Sequence, residues 1–194
     1  MASGKSHNTI SQQASVARVT PLINDLTCED VYKCRRARQA LVAMGGSAVP
    51  YLVDALRLRK GWVRWEAAKA LGQIPGPSAT RALVDALGDK TFDVRWLAAE
   101  GLVPRGRKGL RVLMHALIGK SDSGWFREGA HHVLFDLSQG NLGEKVKPVL
   151  KALEDVDASV EVPLKAKALL DWLEKTSLAR ETGPRHWQGT VWAL

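Results

Sequence analysis

The sequence predicts an all-α fold: an α-solenoid of about five stacked helical hairpins, about ten helices in all. Three observations carry that expectation. One apolar motif returns at near-constant spacing, a second motif alternates with it, and Gly- or Pro-bearing turns separate the two.

The first motif occupies residues 35–41, 65–71, 96–102 and 128–134, with a weaker copy at 164–170. Its shared alanine falls at Ala37, Ala67, Ala98, Ala130 and Ala166. Its shared leucine falls at Leu41, Leu71, Leu102, Leu134 and Leu170, so successive copies are 30, 31, 32 and 36 residues apart. The second motif occupies residues 22–26, 52–56, 83–87, 113–117 and 149–153. Within each stretch the apolar residues recur at i, i+3 and i+4, which paints one stripe on a helix. Gly45-Gly46, Pro75-Gly76-Pro77 and Gly106 interrupt the stripes and mark where one helix of a hairpin gives way to the next.

The ends lack this period. Residues 1–14 are polar and read as a flexible N-terminal tail, residues 15–176 as the solenoid, and residues 177–194 as a C-terminal tail or cap. Apolar types make up 45% of the chain and charged types 25%, so a core can be buried without a metal or disulfide staple. Cys28 and Cys34 are expected to be free thiols, as suits a reducing compartment. MASGKSHNTISQQAS offers no apolar signal core, and no later stretch is long enough to cross a membrane. The expected location is cytoplasmic, without membrane partners. A net charge of +8 favours acidic partners: nucleic acid, an anionic surface or an acidic protein.

Val63-Arg-Trp-Glu-Ala-Ala-Lys-Ala-Leu-Gly72, followed by Ala82-Leu-Val-Asp-Ala-Leu87 and Asp93-Val-Arg-Trp-Leu-Ala-Ala99, resembles the HEAT-like repeat of phycobilisome-lyase type. The resemblance spans about residues 20–176. It implies close approach of helices at the alanine columns and a concave groove lined by the second-motif helices. It also implies an inter-repeat ladder of Asp and Arg. Asp89 is then expected to pair with Arg95 and Asp122 with Arg127, whereas Arg64 has no aspartate at the matching place.

The candidate contact residues follow from that geometry. Two columns of the second-motif helices, four residues apart, should neighbour each other on the groove surface. One holds Asn24, Asp54, Asp85, His115 and Lys151, the other Thr20, Pro50, Arg81, Arg111 and Lys147. The groove should therefore run from acidic (Asp54, Asp85) to basic (Arg81, Arg111, Lys147, Lys151). Trp62 and Trp125 precede the periodic cores of their helices and are expected at the surface, on an edge ridge with Trp65 and Trp96. Tryptophan and arginine are favoured anchors of interfaces. His131 and His132 are adjacent and diverge on a helix, so no metal site is expected from that pair.

These features point to a non-catalytic scaffold that binds a protein or peptide, with no cofactor. Nucleic acid held by the basic half of the groove is the alternative. Deoxyhypusine hydroxylases are excluded by the lack of any His-Glu dipeptide. A bilin lyase would use the basic groove for propionates, and a HEAT-like DNA glycosylase would need Asp54 or Asp85 beside an exposed indole. Trp172, Trp187 and Trp192 are expected at a C-terminal cap or at a contact between copies.

Overall fold

The computed structural model describes residues 16–182, with side chains described through residue 177. Ten α-helices and no strand occur among the described residues. They are α1 (residues 16–26), α2 (Val31–Met44), α3 (Val49–Ala55), α4 (Gly61–Gln73), α5 (Pro77–Ala86), α6 (Phe92–Leu102), α7 (Gly106–Lys120), α8 (Gly124–Ser138), α9 (Gly143–Leu153) and α10 (Ala158–Thr182). The expected N-terminal tail lies outside the described residues, as do Trp187 and Trp192. The final helix runs past residue 176 to Thr182.

Each motif sits on a helix, and the two kinds alternate along the chain. The alanine and leucine columns are buried throughout, none more than 3% exposed. They belong to one continuous core with Leu52, Leu83, Leu113 and Val149 of the other helices. No single hairpin could close that core alone, which is what makes the chain a stack. Gly76 and Gly106 start α5 and α7 from positive φ (111° and 50°), a region that only glycine enters at little cost. Asp30 caps α2, its carboxylate accepting from the amides of Tyr32 and Lys33 at 2.9 and 3.1 Å.

Helices α2, α4, α6 and α8 form one layer, and α3, α5 and α7 form the other. The first layer is the tighter. A Cβ built on Gly101 of α6 would lie 2.8 Å from the Gly72 Cα of α4, so their backbones touch where a side chain would keep them apart. Neighbours in the other layer share less of their length. The alanine-rich helices are thus the closer-packed layer, and the small residues that permit the approach sit in the first motif.

The first layer is also pinned by a repeated hydrogen bond. Seven positions before the column leucine stand Cys34, Arg64, Arg95 and Arg127. Each donates to the carbonyl six residues earlier: the Cys34 thiol to Cys28 at 3.1 Å, Arg64 to Leu58 at 2.9 Å, Arg95 to Asp89 at 2.8 Å and Arg127 to Ser121 at 2.6 Å. Donors placed there satisfy carbonyls that the ends of helices leave without partners. Ion pairs then join repeats: Arg38 to Glu66 at 2.5 Å, Arg64 to Asp89 at 2.6 Å, and Arg95 to Glu128 at 2.7 Å.

The expected ladder is thus corrected. Asp89 offers Arg95 its main-chain oxygen, while its carboxylate turns back to Arg64, the arginine expected to lack an aspartate. Arg127 reaches the Ser121 carbonyl in place of the expected Asp122 carboxylate. The offset of six residues is met by backbone, which frees the carboxylate to bridge repeats.

The fifth copy departs from the stack. Helix α10 packs on α7 and α9. Its start meets the end of α7, Ser121 Oγ donating to the Ser159 carbonyl at 3.3 Å, and its later turns meet the start of α7 through Arg107 and Thr176. The two helices therefore run antiparallel. Pro163 holds the place of the column arginine in α10 and brings no donor. Trp172 lies half-buried in this packing, with the Arg107 guanidinium 4.4 Å and the Lys145 ammonium 5.2 Å from its ring.

Two stability predictions follow from these contacts. Burial alone would raise the Asp89 pKa. Its hydrogen bonds from Arg64 and the Thr91 amide, with the Arg64 charge, outweigh that and hold it below the ordinary carboxylate value. A carboxylate with a lowered folded pKa contributes stability above its unfolded value and loses it as pH falls through the folded one. Asp89→Asn should cost about 3 kcal/mol at pH 7, the scale of breaking a buried pair. Urea titrations should show the gap to wild type narrowing as pH falls below about 4. Gly129 of α8 has room for nothing larger, since a Cβ there would lie 2.6 Å from the Leu87 carbonyl oxygen. Gly129→Ala should cost about 1–3 kcal/mol. Gly119→Ala, in open space, should be neutral or gain up to about 1 kcal/mol, read by the same titration.

Candidate functional site

The layer of α2, α4, α6 and α8 carries exposed aromatic rings. Trp62 on α4 is 44% exposed, Phe92 and Trp96 on α6 are 54% and 47%, and Trp125 and Phe135 on α8 are 54% and 50%. Large apolar rings exposed together on one layer form a candidate contact surface. Trp65 is half-buried, with the Lys69 ammonium 4.3 Å from its ring, and Lys60 lies 4.8 Å from that of Trp62. The rings reach the surface because they lie off the stripe that the alanine and leucine columns turn into the core.

Between α6 and α8 these rings enclose a cleft of about 430 Å³, lined by Phe92, Trp96, Phe135, His131, His132 and Asp136 among others. The Trp96 and His132 ring centres are 4.1 Å apart, those of Phe92 and Trp96 5.9 Å, and His131 stacks on Phe135 at 6.3 Å. The adjacent histidines diverge. His131 Nε2 lies 2.9 Å from Glu154, whereas His132 Nε2 lies 3.3 Å from both Glu100 and Asp136.

The other candidate residues lie on the second-motif helices α3, α5, α7 and α9. Asp54, Asp85, His115, Lys147 and Lys151 are exposed there, Arg81 also, and Arg111 is half-buried. They do not form one graded groove. Asp54 pairs with Arg57 at 3.0 Å, and Asp85 with Lys120 at 2.6 Å. Arg81 and Arg111 come together, but Lys147 and Lys151 do not join them because α10, packed on both α7 and α9, intervenes. Lys147 pairs with Glu144 at 2.5 Å, and both lysines border a separate hollow shared with Asp155 and Glu161. Asp54 and Asp85 also lie across the stack from the exposed tryptophans, which is not the constellation a glycosylase needs.

Arg81 and Arg111 border the largest cleft described here, about 1170 Å³, formed by the turn at Gly72–Pro77 and the start of α7. Lys108, Arg105 and Arg107 add further positive charge, and no carboxylate lines it. Arg105 is committed to structure: its guanidinium donates to the carbonyls of Leu71 and Ile74 at 2.9 Å each, to Gly101 at 2.8 Å and to the Thr80 hydroxyl at 2.8 Å. Burial lowers its pKa. Sequence reading passed over Arg105, which stands alone before Gly106 in no repeated column. The Nε atoms of Arg111 and Arg95 are buried without a protein hydrogen-bond partner.

Among known proteins, a family model of HEAT repeats matches residues 19–103. No curated protein matches the chain. No helix among the described residues is long and apolar enough to cross a membrane. The matched segment covers α1 through α6, and the same buried alanine and leucine columns continue through α8. The repeated hairpins and the shared core are those of a HEAT-like stack, and the family match identifies HEAT repeats over residues 19–103.

Proposed function

We propose that the chain is a protein-binding scaffold whose partner docks on the aromatic face of α4, α6 and α8. The observation that supports this reading is the row of half-exposed rings Trp62, Phe92, Trp96, Trp125 and Phe135 on one layer. HEAT repeats generally serve as protein-interaction scaffolds. Large rings surrounded by alkyl stems and charges match the composition of interface anchors, in which a few aromatic residues carry most of the binding energy. The flanking Lys60, Lys69 and Arg95 add cation–π partners that hold the rings in place.

A second reading rests on the cleft of Arg81, Lys108 and Arg111, where positive charge converges without a carboxylate. An acidic segment fits that chemistry, whether of protein or of nucleic acid. Extended tracking of a phosphate backbone is disfavoured, because Asp54 and Asp85 flank one side and α10 separates Lys147 and Lys151 from the other.

The test is affinity capture by the full chain, compared with Trp96→Ser/Phe135→Ser and with Arg81→Glu/Lys108→Glu/Arg111→Glu. A partner bound directly by the wild type should lose at least tenfold affinity with the aromatic variant and little with the charge variant, both variants keeping the wild-type circular dichroism. Fluorescence polarisation with random DNA across a salt series provides the other arm. Salt-sensitive DNA binding lost only in the charge variant would replace the leading reading with the second.

A further inference from the structure

His132 stands between two carboxylates in a geometry that an ion could use. His132 and Asp136 are four residues apart on α8 and share one helix face, and Glu100 reaches over from α6. The His132 Nε2 lies 3.3 Å from Glu100 Oε1 and 3.3 Å from Asp136 Oδ2. All three candidate ligand atoms lie within 4.8 Å of one another. Around a tetrahedral zinc ion with bonds of about 2.0–2.1 Å, neighbouring ligand atoms stand about 3.3–3.4 Å apart. Two of the three edges therefore already have the length that a bound ion requires. The third closes by a small swing of Glu100, whose side chain is half exposed.

We propose that Glu100, His132 and Asp136 form a binding site for a divalent transition-metal ion of the zinc class. One imidazole nitrogen and two carboxylate oxygens suit such an ion, and three protein ligands leave the fourth position to water. Trp96, its ring centre 4.1 Å from that of His132, holds the imidazole in place and screens one side of the site from solvent. The neighbouring His131 is not a ligand, since its Nε2 is turned to Glu154 on the far side. The ligands come from two successive repeats, so a bound ion ties α6 to α8 as the arginine–carboxylate pairs do.

Calorimetric titration of the full chain with ZnCl2 in a weakly chelating buffer tests the proposal. One saturable site per chain is expected. His132→Ala should weaken it at least tenfold, Glu100→Gln should weaken it measurably, and Cys28→Ser/Cys34→Ser should leave it unchanged. Co2+ should bind the same site and quench part of the tryptophan fluorescence, an effect that shrinks in His132→Ala. Should His132→Ala unfold, Glu100→Gln and Asp136→Asn carry the comparison, with circular dichroism as the check. No saturable binding, binding indifferent to these substitutions, or binding that disappears only with the cysteines would overturn it.

Discussion

The stack depends on a short reach made again and again. A side chain near the start of α2, α4, α6 and α8 donates to the carbonyl six residues earlier, closing the loop that enters the helix. The bond does two things at once: it satisfies an oxygen that the preceding helix cannot, and it fixes the angle at which the next helix starts. Without that angle the alanine columns would not meet. Arg64 shows how the local bond becomes a global one, since the same guanidinium that holds Leu58 also holds the Asp89 carboxylate one repeat on. Each repeat thus orders its own entry and its neighbour's together, and the backbones of α4 and α6 can touch at Gly72 and Gly101.

Helix α10 shows the limit of that scheme. Its apolar stripe copies the first motif well enough to bury Ala166 and Leu170, yet its partners are α7 and α9. Lacking the column donor, it is not tied to the loop before it. It settles along α7 and α9, and so divides the basic residues of the second-motif helices into two groups with different surroundings. Arg81, Lys108 and Arg111 keep a cleft without carboxylates, while Lys147 and Lys151 face Glu144, Asp155 and Glu161.

Helix number, alternation and core columns were legible in the sequence because they are properties of period, and period is set by which residues must avoid water. Trp62 and Trp125 were placed at the surface on the same grounds, each lying outside the apolar stripe. Three things were not legible. Which layer packs closer is a comparison between helices that no single motif states. The partner of Asp89 depends on whether a side chain turns forward or back across a loop, and both directions fit the same spacing. His132 looked unsuited to a metal when paired with His131, because the residues it meets, Glu100 and Asp136, lie one repeat back and one turn on.

One member of the repeated column is a thiol. Cys34 makes the same reach as the arginines, and its Sγ lies 3.9 Å from that of Cys28. Burial, with the Cys28 hydrogen bond and charge, pushes its pKa up to about 11, so at neutral pH it stays protonated. Thiol-directed reagents attack the thiolate, and Cys28 is the more open of the two. A single probe added under mild conditions would therefore settle on the loop between α1 and α2, giving a spectroscopic handle at one end of the stack with the aromatic face and both clefts left untouched.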